Sequence, residues 1–190
     1  RLDRLWPDAK YVYLLRDGRD VARSCVSMGW AGNVWSAADY WETAEDTWRA
    51  FRDRLQPERW IEVRHEGLIE DPQHSLSKIC CHLGTNYHEQ MLSYPRNTTY
   101  GLPDPTLVQQ WRYKLSPREV RWLESRLGDR LYERGYELSK PDAPPIGCFQ
   151  RTYLKTHNVL GKHRFRIRRF GLPLWATELV ARKLRLRSLE

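Results

Sequence analysis

The sequence has no long apolar run. No stretch of its 190 residues approaches the roughly 18 to 20 apolar residues needed to cross a bilayer, and its mean hydropathy is −0.74. That excludes a membrane span within these residues. Nothing at the start looks like a signal peptide: the chain opens on Arg1-Leu2-Asp3-Arg4 rather than Met and reaches a strand-like run almost at once. The natural N-terminus is therefore expected to lie upstream, with targeting signals unread. Cysteine is scarce, and Cys25, Cys80, Cys81 and Cys148 show no framework spacing. This argues against a disulfide-stapled secreted domain and for a reducing, cytoplasmic setting. Cys80, Cys81, His82 and His88 match no zinc-site spacing, so no metal is assigned. A Gly-Lys-Ser/Thr phosphate loop is missing too, which counts against a kinase. Acidic residues are rare at one end: residues 146–190 hold Glu178 and Glu190 against eleven Lys/Arg. Residues 1–145 are almost balanced, with 21 basic and 22 acidic side chains, so the net charge of +8 belongs to the C-terminal stretch.

What is present suffices for a folded domain, with 41% apolar and 12% aromatic residues. Tyr11 to Leu15 form a continuous run of strand formers ended by Arg16-Asp17-Gly18, the pattern of a strand buried on both faces of a parallel sheet. A helix follows, with Asp20 at the N-cap and Val21, Ser24 and Cys25 on successive turns. Residues 29–36 read as a loop. Trp41, Ala44, Trp48, Phe51 and Leu55 then line one face of a helix that Ser36 and Asp39 open with a capping box and Pro57 closes. Trp60 to Val63 make a second strand. A third helix starts at Asp71-Pro72, buries Leu76, Ile79, Cys80 and Leu83, and stops at Gly84. Residues 86–110 are turn-rich and read as a long ordered loop or lid. Ser116, Pro117 and Glu119 open a fourth helix expected to end at Gly128.

Strands alternating with helices predict an α/β fold, a three-layer sandwich with a mostly parallel sheet, whose ligands sit at the carboxyl ends of the strands. The expected organisation is a domain over 1–140, a proline-rich linker over 141–147 and a basic helical extension over 148–190. The ligand rule directs attention to Arg16 and to Arg64 through Glu66. Arg16-Asp17-Gly18-Arg19-Asp20-Val21-Ala22-Arg23-Ser24 places an arginine at a strand end and a serine in the early turns of the next helix. Helix N-terminal amides, the helix dipole and a guanidinium together suit a phosphate. From the residues alone, the alternative of a capped, salt-bridged surface turn stays open.

The stretch Ala9-Lys10-Tyr11-Val12-Tyr13-Leu14-Leu15-Arg16-Asp17-Gly18-Arg19-Asp20-Val21-Ala22-Arg23-Ser24 resembles the 3′-phosphate-binding segment of sulfotransferases that use 3′-phosphoadenosine-5′-phosphosulfate (PAPS). The family pattern is a strand followed by Arg-[Asn/Asp]-Pro-x-Asp-x-x-x-Ser, and Arg16 and Ser24 match its phosphate ligands at the same separation of eight. Gly18 stands where proline is commoner. Val63-Arg64-His65-Glu66-Gly67-Leu68-Ile69-Glu70-Asp71-Pro72 resembles the family's Tyr-Glu-Asp-Leu-x-x-Asp-Pro, with His65 replacing the aromatic residue near the adenine. Cys81-His82-Leu83-Gly84 matches the family's Phe-Leu-Gly helix ending. Trp111-Arg112-Tyr113-Lys114-Leu115 resembles its late Trp-Arg/Lys stretch, making Arg112 and Lys114 candidates for the cofactor or ordinary helix-entry charges. Leu131 to Tyr136 resembles its closing Leu-Gly-Tyr. The resemblance spans about residues 7 to 136 and implies a P-loop-NTPase-like fold, PAPS as sulfonate donor and a hydroxyl- or amine-bearing acceptor. Relatives begin with a Gly-containing loop that cradles the 5′-phosphosulfate, then a His or Glu base. No such loop precedes Tyr11, so the fold is expected to be incomplete and no catalytic residue is assigned.

Two other readings compete. One is a protein that binds PAPS or 3′-phosphoadenosine 5′-phosphate (PAP) without transferring sulfonate. The other is a nucleic-acid module built on the basic tail, against which the near-neutral body and the lack of an RRM, KH or helix-turn-helix pattern both count. The tail, with basic and apolar residues alternating over 163–170 and a basic amphipathic helix expected over 174–189, suits an anionic glycan, a membrane surface or plain solvation. Asn97-Thr98-Thr99 is a sequon that matters only in a secretory protein.

Overall fold

The computed structural model describes residues 2–96, 99, 101–139, 141 and 144–187. Asn97 and Thr98 of the sequon, and Asp142 and Ala143 of the expected linker, lie outside the described residues. The chain divides into two compact units, one of Arg1–Asp20 with Glu42–Lys114, the other of Val21–Trp41 with Leu115–Glu190.

The first unit holds α1 (Leu2–Leu5), β1 (Tyr11–Leu15) and the start of α2 (Gly18–Ser27). It continues with the second half of α3 (Val34–Arg52), then β2 (Trp60–Arg64), α4 (His65–Glu70), α5 (Pro72–Leu83) and α6 (Trp111–Lys114). β1 and β2 pair in parallel with Tyr11 opposite Trp60 and Leu15 opposite Arg64. Parallel neighbours need a long crossover, which the two intervening helices supply. Side chains alternate across the strand, and Tyr11 and Tyr13 meet α3. Tyr13 stacks on Trp48 at 4.6 Å, Tyr11 meets Phe51 edge-on at 4.9 Å, and the Tyr13 hydroxyl donates to buried Glu45 at 2.6 Å. Val12 and Leu14 on the other face are 41% and 49% exposed. The expectation of a strand buried on both faces is therefore corrected: among the described residues one helical layer covers β1. The same spacing argument misplaced Ala44, which is exposed, whereas Glu45 takes the buried position between Trp41 and Trp48.

The α5 boundaries follow from the sequence. The Asp71 carboxylate accepts from the His74 amide, Pro72 needs no donor at the first position, and Gly84 closes the helix at φ 80°. The segment read as a loop over 86–110 carries 3-10 helical turns at Glu89–Arg96 and Pro105–Leu107.

The second unit contains the chain's main apolar core. Leu123, Leu127 and Leu131 of α7 (Pro117–Glu133) are fully buried with Ala22, Ala37, Ala38 and Leu154. α7 opens with the predicted capping box of Ser116 and Glu119. It runs past Gly128, where an end was expected, because Leu127 and Leu131 belong to one buried stripe whose packing outweighs a cost of about 1 kcal/mol for an internal glycine. α3 is capped not by Ser36 but by Asn33, whose Oδ1 accepts from the Ser36 amide at 2.9 Å.

α8 (Cys148–Phe170) and α9 (Leu172–Arg187) complete this unit. α8, which begins where the extension was expected, packs into the core of this unit. Leu154 is fully buried, the Leu154 carbonyl accepts from Asn33 Nδ2 at 2.7 Å, and Asn158 Oδ1 accepts from the Gly32 amide at 2.6 Å. A Cβ on Gly161 would stand 2.6 Å from the Gly32 carbonyl oxygen, so the two backbones approach as only glycine allows. Basic charge hid this packing from the sequence, since Leu154 and Gly161 are isolated signals among cations.

Candidate functional site

β1 ends at Leu15, and the chain turns at Asp17 directly into α2. Arg16 is thus held at the carboxyl end of a parallel strand beside a helix N-terminus, where the amides and the dipole favour an anion. The turn is not the exposed salt-bridged kind. Asp17, Gly18, Arg19 and Asp20 are all buried. Asp17 Oδ1 accepts from the Arg19 amide at 2.9 Å and from Arg19 Nε at 3.0 Å, while Arg19 Nη2 donates to Asp17 Oδ2 at 2.8 Å. This two-pronged geometry is the strong form of the arginine–carboxylate pair. The Asp17 amide donates to Glu66 Oε1 at 2.9 Å, which ties the turn to α4.

Asp20, expected as the N-cap, lies inside α2, where its Oδ1 accepts from the Trp111 amide at 2.8 Å. Its carboxyl is pushed above its ordinary range, first by burial and further by Asp17 and Glu66, although the Trp111 amide and Arg16 pull the other way. The Arg19 guanidinium lies 3.7 Å over the centre of the Trp111 ring, and Arg112 lies 4.6 Å from the same centre. Arg16 Nη2 donates to the Leu107 carbonyl at 3.1 Å. Three contacts thus fasten residues 107–111 to the turn after β1. Sequence reasoning named Trp111 only through the resemblance, and it placed Asp17, Arg19 and Glu66 near the site without giving them a role. The available signal was an arginine flanked by two aspartates in a strand-to-helix turn.

Of the expected site residues, Arg16 and His65 come together. His65 begins α4 after β2, and its imidazole is held below its ordinary range by burial and by the nearby Arg16 charge. Its Nδ1 is buried without a hydrogen-bond partner among the described residues, as are Asp20 Oδ2 and Trp111 Nε1. Orphaned polar atoms of this kind suit a polar ligand or water. Arg112 is exposed and donates to Gln109 Oε1 at 2.6 Å, and Lys114 is exposed beside Tyr113. Ser24 lies half-buried two turns into α2, and its spacing of four from Asp20 puts both on one helix face. Cys80 is buried against Met91, whereas Cys81 is exposed.

A parallel strand, a tight turn and a helix with an arginine at the strand's end make an α/β arrangement of a class that suits an anion. Comparison with known proteins narrows that class. Residues 1–89, which include Arg16, Ser24 and His65 but not Arg112, match the sequence model of the sulfotransferase family. Over 151 residues the chain is 26% identical to the omega-hydroxy-beta-dihydromenaquinone-9 sulfotransferases of Mycobacterium bovis and Mycobacterium tuberculosis, covering 73% of this chain and 38% of each relative. The chain thus spans well under half the length of those relatives. In fold it is similar to the sulfotransferase domain from the curacin biosynthetic pathway, with TM-score 0.58 and 23% identity over 69% of this chain and 55% of that one. The sulfotransferase domain of the Synechococcus PCC 7002 olefin synthase gives TM-score 0.52 and 25% identity over 57% and 44% of the two chains. The family model, the curated relatives and the solved domains alike support a likeness to the sulfotransferase family.

Proposed function

We propose that this chain supplies the 3′-phosphate end of the PAPS site in an enzyme that transfers a sulfonate to a hydroxyl- or amine-bearing acceptor. The observation that carries the reading is Arg16, held at the carboxyl end of β1 at the threshold of α2 by a turn whose own carboxylates are already engaged. The Arg19 guanidinium pairs with Asp17 and offsets its charge, while Glu66 accepts from the Asp17 amide and keeps its negative charge. When bound, PAPS supplies the activated sulfonate; the residues named here orient its nucleotide end. Arg16 contributes charge and paired hydrogen bonds to the 3′-phosphate, and Ser24 one neutral hydroxyl. His65, with its orphaned Nδ1, offers the adenine or ribose one hydrogen bond, and Arg112 adds a cation at the rim. On this reading the two strands belong to the mostly parallel sheet of a three-layer, P-loop-NTPase-like sandwich. We assign the reaction to the cytoplasm, where the four free thiols stay reduced.

Calorimetric titration tests the assignment. Arg16→Ala should weaken PAP binding by about 1.5 to 3 kcal/mol, the range for a hydrogen bond to a charged group. Adenosine 5′-phosphosulfate, which lacks the 3′-phosphate, should bind weakly and respond little. Equal losses for the two nucleotides would refute the role of Arg16. We assign no catalytic base within the 190 residues, so the chain alone is expected to bind PAP without turnover. Transfer of labelled sulfonate above the protein-free rate would contradict that expectation.

A further inference from the structure

Between Asp142 and Glu178 the sequence contains no acidic residue, and Lys162, Arg164, Arg166, Arg168 and Arg169 crowd the last turns of α8. The chain then reverses at Gly171, whose φ of 81° is a conformation side chains resist, and enters α9. A turn of this kind in a water-facing hairpin is normally polar. Here it reads Phe170-Gly171-Leu172-Pro173-Leu174, with Phe170, Leu172 and Leu174 exposed by 52%, 62% and 64%. The hairpin just behind this tip is closed by specific contacts. Trp175 Nε1 donates to His163 Nδ1 at 3.0 Å, the two rings meet edge-on, and Arg166 pairs with Glu178 at 3.8 Å. The apolar side chains are therefore presented by a braced turn.

We infer that this α8–α9 tip is a docking element for an anionic lipid surface, with Phe170, Leu172 and Leu174 entering the interface and Arg164, Arg168 and Arg169 seated on the headgroups. Three features select this partner. No described helix is long and apolar enough to cross a membrane, so the element lies on the bilayer rather than through it. A nucleic acid or sulfated glycan would use the cations and leave the apolar tip in water. A second copy of the chain would cover the tip but bring two clusters of like charge together. An anionic bilayer uses both features at once, since burial of apolar side chains and attraction of basic ones add at a headgroup boundary. Placement agrees with this role. α8 is anchored at Leu154, Asn158, Gly161 and Phe165, whose ring lies against Gly29, and a rise of about 1.5 Å per residue carries Phe170 roughly 7.5 Å beyond the last of these.

The test uses the full 190-residue chain in sedimentation with vesicles of phosphatidylcholine alone or mixed with phosphatidylglycerol. Binding is expected only to the mixed vesicles. Leu172→Asp/Leu174→Asp and, separately, Arg168→Gln/Arg169→Gln should each weaken it about tenfold or more, while PAP affinity stays unchanged. Circular dichroism checks the folding of each variant. The arginine pair replaces exposed or half-exposed side chains only, so it remains informative if the leucine pair misfolds. Added salt should weaken vesicle binding by the wild type without abolishing it. Failure to bind the mixed vesicles would overturn the inference. So would an apolar variant that binds like the wild type, which marks a simple polyanion site, or a tip-dependent dimer in analytical ultracentrifugation without vesicle binding. These outcomes do not depend on the role of Arg16.

Discussion

The two compact units are held together by different physics. The first buries charge: Asp17, Arg19, Asp20 and Glu45 are all nearly inaccessible and are bound in hydrogen bonds. The second buries leucine and alanine around α7, admits α8 through two facing glycines, and has Glu124 as its buried charge among the described residues. Burying ions is costly and seldom the cheapest way to stabilise a fold. A small unit that does it at the end of a parallel strand is therefore spending stability on geometry. On the proposed reading, the geometry gained is the position of Arg16 at the end of β1. The second unit has no such constraint and is packed for shape.

The comparison breaks most readily at Arg19. Arg19→Ala leaves the Asp17 carboxylate buried without its guanidinium and strips the face of Trp111. Chemical denaturation should show a loss of about 3 to 5 kcal/mol, the usual result of removing one partner of a buried pair. A loss below about 1 kcal/mol would mean that the pair is solvated and the first unit is not held by buried charge. In the second unit the matching lesion is steric. Gly161→Ala places a methyl against the Gly32 backbone and should cost about 1 to 3 kcal/mol, toward the upper end because backbone yields less than side chains. For the same reason a chain ending at Ala143, which lacks Ile146 and Leu154 from the core, should melt far below the full chain rather than lose only its salt-sensitive charge.

Asp20 sharpens the contrast through pH. Its folded pKa lies above the ordinary value near 3.8, so between the two the native state holds more protons than the unfolded one. Stability from this group is then greatest in acid and falls as pH rises through that window. Asp20→Asn retains an oxygen for the Trp111 amide and carries no charge. It should flatten that fall and leave the variant at least as stable as the wild type at neutral pH. A steeper fall in the variant would contradict the burial argument. The smallest expected effect is that of Ser24→Ala on PAP affinity, about 0.5 to 1.5 kcal/mol for one neutral hydroxyl. Unchanged affinity would remove Ser24 from the site.

Legibility in the sequence followed the range of the interactions. Asp71-Pro72 with Gly84, and Ser116-Pro117-Glu119, act within one helical turn and gave helix boundaries that the structure reproduces. The position of Arg16 between β1 and α2 was legible because strand, turn and helix are consecutive. The Arg19–Trp111 contact was not, since its partners lie 92 positions apart and neither residue type demands the other. Gly128 misled because a local stop signal was overridden by the Leu123-Leu127-Leu131 stripe, and Asp20 because an aspartate near a helix start suits a cap as well as an internal acceptor for a distant amide. Val12 and Leu14 read as buried by composition, yet their exposure depends on how many layers cover β1, which no local pattern encodes.

The central claim is that the first unit reads a 3′-phosphate, and ligand discrimination by the unmodified chain tests it most directly. The measurement is paired calorimetry of the 190-residue chain with PAP and with adenosine 5′-phosphate, identical except for that phosphate. The account predicts that PAP binds at least about tenfold more tightly, the equivalent of about 1.4 kcal/mol from charged hydrogen bonds at Arg16. Equal affinities for the two nucleotides would contradict it.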